Sequence, residues 1–261
     1  MGLETCEKIG GLKIINNSTK EISKYQSIRI DTFFYENIIK TKDFFANNFR
    51  WTKLGNFIDT ISNGENLATE WYSVDGESNV IYLSVSQINK YGLEDKNISY
   101  LKEEILDYDF GKNKRKIAIL SKDTIIVTRS GTPGIVINTN NSAFNYEEYS
   151  YVPSGFLIYF TLKKELKIPV EVITYYLNLQ PVKEYLIANS SGRCQRNLSQ
   201  EVIKNVPIPE ELLDKSFQEG IMKLYNDMQR ETINKQREIK KIEVELDKMW
   251  DKSLDNFENL F

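Results

Sequence analysis

After Pro207-Ile208-Pro209 the chain runs from Glu210 to Phe261 with no proline and a single glycine, Gly220. Nothing in that stretch breaks a helix, since proline and glycine are the two residues that do so most strongly. Phe217, Ile221, Leu224 and Met228 are spaced by four, three and four, and Ile239, Ile242, Leu246 and Met249 resume the alternation, extended by Phe257 and Leu260. Between the two sets, Glu231 and Lys235 fall where the first register requires apolar side chains, so the seam shifts mid-helix as a stutter makes it do. The pattern predicts one helix of ~50 residues, ~75 Å long at 1.5 Å per residue. A rod of that length overhangs any domain this chain can build, and its apolar seam needs a partner helix.

The rest of the chain divides into two zones. Residues 1–49 read as an N-terminal arm ending in a helix, with Asp31 as the cap and Phe34, Ile38 and Ile39 as its apolar face. Residues 50–209 read as mainly β with some helix. Asn79 to Ser86 is rich in β-formers, and Lys116 to Leu120 is a short apolar run. Thr124 to Thr128 is a buried strand stopped by Ser130-Gly131-Thr132-Pro133-Gly134, and Ile135-Val136-Ile137 resumes beyond it, which predicts a hairpin. Ser154 to Thr161 is a further strand, and Val170–Leu177 and Pro181 to Ala188 are helical. Strands and helices mixed without strict alternation give an α+β domain, here followed by the long coiled-coil-type helix of residues 210–261.

Composition narrows the function. Among 261 residues, 41% are apolar and 27% charged, which excludes a disordered or fibrous chain. No apolar run is long enough to cross a membrane, and the first residues carry neither a basic region nor an apolar run. Two distant cysteines, Cys6 and Cys194, form no disulfide framework and match no zinc spacing, so a reducing, cytoplasmic setting is expected. There is no histidine, which removes Ser-His-Asp and Cys-His nucleophilic systems and the commonest transition-metal ligand. Neither a phosphate-binding P-loop nor a glycine-rich dinucleotide turn is present, so no cofactor and no metal are expected. Glu103, Glu104, Asp107 and Asp109 form the densest acidic cluster. A metal-dependent nuclease using Asp107 and Asp109 is the enzymatic alternative, and a solvated helix face is the ordinary explanation.

Net charge is −3, but the acidic excess is local. From Glu210 onward there are nine Lys and Arg against thirteen Asp and Glu, leaving 25 against 24 in the preceding 209 residues. Lys112, Lys114, Arg115 and Lys116 crowd one window, and such a cluster gives salt-sensitive affinity for phosphates. Ser190 to Gln200 is a glycine-containing loop with Arg193, Gln195, Arg196 and Asn197 and no acid. Arginine pairs bidentately with guanine, and glutamine or asparagine with adenine. Asn197 and Ser199 also suit the cap of the next helix. Arg129 beside its glycine turn is a further phosphate contact, and Gln87 and Asn89 at the end of a strand-like segment are candidate base readers.

Five segments, in order, resemble the specificity subunit of type I restriction–modification systems. Arg29-Ile30-Asp31 with Phe33-Phe34-Tyr35 is similar to the family's opening segment. Trp51-Thr52-Lys53-Leu54-Gly55 through Asn63-Gly64 resembles the start of a target recognition domain, and Val80 to Ile88 its strand ending in Ser-x-Ile. Lys122-Asp123-Thr124-Ile125-Ile126-Val127-Thr128-Arg129-Ser130-Gly131-Thr132-Pro133-Gly134 resembles Gly-Asp-Ile-Leu…Arg-x-Gly-x-x-Gly, with Lys122 in place of the usual glycine. Gly192 to Ser199, then Val206-Pro207-Ile208-Pro209, resembles the domain's closing segment before the helical spacer.

The resemblance implies a non-catalytic subunit. In that family each recognition domain reads one half of a split DNA site, and long helices set the spacing and dock the methyltransferase subunits, with the restriction subunit as a further partner. Here there is one recognition domain and one long helix, not two of each. The expectation is a half-subunit that binds double-stranded DNA and pairs with a second copy through Phe217, Ile221, Leu224, Met228, Ile239, Ile242, Leu246 and Met249, so that protein symmetry mirrors site symmetry. An interaction scaffold or inhibitor that binds methyltransferase subunits without reading DNA is the alternative.

Overall fold

The computed structural model describes residues 6–9, 12–15, 44–45, 49–73, 78–89, 92–94, 97–110, 115–192 and 196–258, with the backbone alone for 6–9, 12–15 and 250–258. Strands β1 (Cys6–Ile9) and β2 (Leu12–Ile15), which the sequence reading passed over, pair antiparallel. The helix expected from Asp31 lies outside the described residues.

Two layers of sheet carry the domain. The larger has four antiparallel strands in the order β10 (Val136–Asn138), β9 (Thr124–Thr128), β12 (Leu157–Leu162), β4 (Ile58–Asn63). The smaller has β11 (Ser150–Pro153), β5 (Val80–Leu83) and β8 (Ser99–Leu101), with β11 parallel and β8 antiparallel to β5. All five residues of β9 are buried because both of its faces are covered. Ile125 and Val127 join the core that contains α1 (Val170–Leu177), α2 (Gln180–Asn189) and α3 (Gln200–Lys204), while Ile126 joins the core between the two sheets. The period of two that alternates side chains across a strand therefore sorts one apolar run into two cores. In β12, Ile158, Phe160 and Leu162 face the helices and Leu157 the smaller sheet. β5 repeats the device, with Ile81 and Leu83 on one side and Val80 and Tyr82 in a third cluster with Leu101, Ile105 and Val152.

Both ends of the segment 50–209 meet. β13 (Pro207–Pro209) pairs antiparallel with β3 (Trp51–Lys53), and Leu54 N donates to Val206 O at 2.9 Å. Two short strands, β6 (Ile88–Asn89) and β7 (Gly92–Leu93), form a separate ribbon. Asn178 protects the edge of the larger sheet by acting as a surrogate strand: its Nδ2 donates to Val136 O at 2.7 Å.

The long helix, α4, spans Lys215–Glu258. It starts five residues later than the sequence predicts, because Glu210–Leu213 forms a 3-10 turn and Asp214 then caps the helix, its Oδ1 accepting from Phe217 N at 3.0 Å. The hydroxyl of Ser216 and the amide of Phe217 hold the Asp214 carboxyl below the usual carboxylate range. With the folded value lowered, the stabilisation is present above the ordinary carboxylate range and fades as pH falls through the lowered one. Asp214→Asn, which retains a capping oxygen, should remove that acid-sensitive component from a helicity-against-pH profile and leave helicity at pH 7 nearly unchanged.

The docked face of α4 differs by one residue from the predicted seam. Gln218 and Tyr225 are buried, with Ile221 and Met222 packed against the helical core. Gln218 Nε2 donates to Leu212 O at 2.8 Å, and Asn138 Nδ2 donates to Tyr225 Oη at 3.1 Å. Phe217 leans on Phe49 (ring centroids 6.4 Å apart), whereas Leu224, Met228, Ile239, Ile242, Leu246 and Met249 are exposed. From Ile233 to Met249 every residue of the helix is exposed. Among the described residues no helix is long and apolar enough to cross a membrane.

Candidate nucleic-acid interface

Arg129 closes β9, and its backbone joins three segments. Arg129 N donates to Phe156 O at 2.8 Å, and Leu198 N donates to Arg129 O at 2.9 Å. The guanidinium Nη1 also donates to Gly155 O at 3.3 Å. The glycine turn, the β11–β12 turn and the loop after α2 are thereby fixed side by side. The glycine turn holds its own shape: Thr128 Oγ1 donates to Thr132 O at 2.5 Å and accepts from Ile135 N at 2.9 Å. Gly131 and Gly134 have φ of +77° and +86°, the left-handed region that favours glycine. This is the hairpin expected from the sequence.

The loop after α2 is closed at its base. Ser191 and Asn197 exchange backbone hydrogen bonds of 2.9 and 2.7 Å, and Gly192 has φ of +100°. Ser199 caps α3, its Oγ accepting from Val202 N at 3.3 Å, so that residue has the capping role. Arg196 is half-buried near the base of that loop, while Arg193 and Gln195 lie outside the described residues. The structure thus brings the Arg129 turn and the Arg196 loop into one surface.

The predicted basic cluster has acid partners that its own sequence window does not contain. Arg115 makes a bidentate pair with Glu65, Nη2 to Oε2 at 2.8 Å, and Glu65 raises the pKa of the guanidinium further. Lys116 Nζ lies 3.2 Å from Asp109 Oδ1 and also donates to Asp107 O. Lys112 and Lys114 lie outside the described residues. Glu65 belongs to the same surface, because Gly155 N donates to its carbonyl at 2.7 Å and Tyr82 Oη does so at 2.6 Å. Burial, with a smaller contribution from neighbouring Tyr72, pushes the Tyr82 hydroxyl up to about 12, so it stays a donor.

Among the described residues no group of three or more Cys, Asp or Glu is placed to hold a metal ion. Glu103, Glu104, Asp107 and Asp109 are exposed around a 3-10 turn, Glu103–Leu106.

No protein-family model and no curated protein matches the chain. Solved structures of type I specificity subunits are similar to it. The S subunit of the type I restriction–modification system from M. genitalium is 18% identical, with a TM-score of 0.40 over 67% of this chain and 37% of that one. The HsdS subunit from Thermoanaerobacter tengcongensis is 11% identical, with a TM-score of 0.45 over 78% and 46%. The type IIG restriction endonuclease BpuSI is 12% identical, with a TM-score of 0.48 over 82% and 31%. This chain therefore spans less than half the length of each of the three.

Two predicted base readers sit elsewhere. Gln87 is 2% exposed, and its Oε1 accepts from Ser84 N at 2.8 Å, completing a capping box around Val85–Gln87. It is not on the outer surface, where a groove-reading side chain must be. Asn89 is half-buried and donates to Glu94. The sequence reading also missed three neighbours of Arg129. Phe156 is exposed at the apex of the β11–β12 turn, inside what reads as a strand. Lys183 on α2 comes within 3.9 Å of where a Cβ on Gly134 would sit. Glu65 lies fifty residues before its cation. Only Phe156 had a visible signal, the preceding Ser154-Gly155 turn pair.

Proposed function

We propose that this chain is a non-catalytic DNA recognition subunit of a type I restriction–modification system. It reads one half of a bipartite site with residues 50–209. It recruits methyltransferase subunits, and through them the restriction subunit, by its long helix, which also pairs with a second copy. The protein works in the cytoplasm, on double-stranded DNA. The observation that supports this reading best is the bond from Leu198 N to Arg129 O, which ties the glycine turn to the loop that carries Arg196. Both segments carry the resemblance noted from sequence. Phosphate contacts then fix the register and base contacts supply the discrimination.

The test is binding of the purified chain to a duplex carrying the half-site found by methylome mapping of the host. Replacing Arg193 and Arg196 together by alanine should weaken that complex by about 1–3 kcal/mol for each bidentate arginine–base pairing removed. Unchanged affinity at moderate salt would remove both residues from the interface.

A second reading has an observation of its own. Arg115 and Lys116 are already paired with Glu65 and Asp109, which lowers the positive charge offered to phosphate. A scaffold or inhibitor would form complexes with methyltransferase subunits and give no sequence-dependent DNA shift.

A further inference from the structure

A cavity of about 380 Å³ opens beside the smaller sheet, lined by Gln87, Glu94, Tyr100, Asn145, Tyr149 and Tyr151 together with apolar side chains. That is the size of a small-molecule site. Its polar groups have fixed and different roles. The Ser84 amide needs an acceptor, so the Gln87 carboxamide must turn Oε1 toward it, which leaves Nε2 on the other side. Gln87 is 2% exposed, and its Nε2 makes no hydrogen bond with any described residue. Nε2 is not among the fully buried side-chain atoms left without a partner, so it is reached from the cavity, where a ligand or water supplies its acceptor.

Glu94 is held next to it, since Glu94 N donates to Gln87 O at 2.7 Å. Asn89 occupies Oε1 of Glu94, which leaves Oε2 as an acceptor. Asn145 is engaged within its own loop: Oδ1 accepts from Glu147 N at 3.2 Å and Nδ2 donates to Glu148 at 2.9 Å. Tyr151 Oη accepts from Asn145 N at 2.9 Å. Among the described residues the cavity therefore offers the Gln87 amide as a donor, the Glu94 carboxylate as an acceptor, and tyrosine rings with their hydroxyls, with Tyr149 6.5 Å from both Tyr100 and Tyr151 between centroids.

We propose that this cavity is a nucleobase site, in which an exocyclic amine donates to Glu94, the adjacent ring nitrogen accepts from Gln87 and a tyrosine ring stacks on the base. Adenine and cytosine carry that donor–acceptor pair on one edge. A purely apolar ligand leaves Gln87 unmatched, and an anion meets the Glu94 carboxylate. The base has two sources, a free nucleoside or a base everted from bound duplex. Val85, in the same short turn as Gln87, comes within 3.7 Å of where a Cβ on Gly131 would sit, so the short turn that carries Gln87 packs against the turn that follows Arg129. The everted-base source rests on the DNA reading proposed above; the free-nucleoside source does not.

The two sources are separated with the full chain. In the first arm it is titrated calorimetrically with adenosine and with cytidine. In the second it binds duplexes carrying 2-aminopurine at successive positions, and fluorescence reports unstacking. Gln87→Glu is the decisive variant, because a carboxylate still accepts from the Ser84 amide and keeps the cap but replaces the donor by an acceptor. Its urea midpoint should fall, because a carboxylate at this 2% exposed position beside Glu94 is costly, and Tyr149→Ala, at a half-buried position, is the second variant that keeps the test open if Gln87→Glu does not fold. The nucleoside dissociation constant of Gln87→Glu, or that of Tyr149→Ala, should rise by at least about tenfold, and any 2-aminopurine signal should vanish from Gln87→Glu while the duplex stays bound. The proposal is overturned if neither nucleoside binds at about 10 mM and no 2-aminopurine position brightens, or if Gln87→Glu behaves as the parent in both arms. Nucleoside binding without duplex binding supports the cavity and rejects the DNA reading. Duplex binding without either signal does the reverse.

Discussion

Replacing Gly64 by alanine should destabilise the domain by on the order of 3 kcal/mol, and replacing Gly155, its neighbour in space, by under ~1 kcal/mol. A Cβ on Gly64 would sit 2.2 Å from Ser154 O and 2.3 Å from Pro153 O. Those are backbone atoms at the end of β11 and cannot swing away. To admit the methyl, the strand ends must separate, straining the bonds from Gly64 N to Leu157 O (3.0 Å) and from Glu65 N to Pro153 O (2.8 Å). Glu65, which holds Arg115, would move with them. A Cβ on Gly155 comes closer still, 2.0 Å from an atom, but that atom is Oδ1 of the exposed Asn66 side chain, which can rotate into solvent. In a chain of this size the Gly64 change corresponds to a fall in Tm of roughly 6–12 °C. Urea midpoints of the two variants, at unchanged slope, measure the difference. Equal costs would mean that the strand ends do not approach as described.

What the sequence discloses follows from which interactions are local. Thr124–Thr128 and Val170–Leu177 are strand and helix within the bounds read from pattern, because an apolar run beside a glycine-proline turn and a helical repeat after Pro169 are each contained in a few residues. The two-core sorting of β9 is invisible in the run itself, since Ile125, Ile126 and Val127 look alike and only the layers on either side distinguish them. α4 shows the opposite difficulty. Its docked face is carried by Gln218 and Tyr225, buried through hydrogen bonds to Leu212 and Asn138, and a hydrophobic repeat gives no weight to either. The candidate interface was legible as segments but not as a surface. The glycine turn and the arginine loop were both recognisable, yet the bond that unites them spans Arg129 to Leu198. Arg115 looked unopposed because Glu65 reaches it only through the folded sheet. Gln87 looked like a surface reader because a capping box of Ser84 and Gln87 is short and polar, and burial is decided by what packs over it.

Changing Ile239 and Leu246 together to aspartate should abolish self-association while leaving the domain folded. In the single chain both side chains are about half exposed, at 55% and 49%, so the substitution removes no packing from the monomer. They belong to a row with Leu224, Met228, Ile242 and Met249, all exposed and repeating by threes and fours except across the stutter. A row of that kind on a free helix gains only by covering itself with another helix. In the paired state each copy would bring two carboxylates, four in all, into a desolvated seam, at on the order of 2 kcal/mol or more each. Together that is about 8 kcal/mol, or roughly a millionfold in the dissociation constant. Sedimentation equilibrium of parent and variant reads the change, and circular dichroism with urea unfolding checks that the monomer is intact. Lys248→Asp is the control, because it reverses a charge about 200° round the helix from Leu246 and so lies off the seam. If Lys248→Asp dissociates the pair as strongly, charge on the other face holds the copies together and the apolar row is not the contact. A parent chain that stays monomeric at hundreds of micromolar would reject a second copy as the occupant of this row.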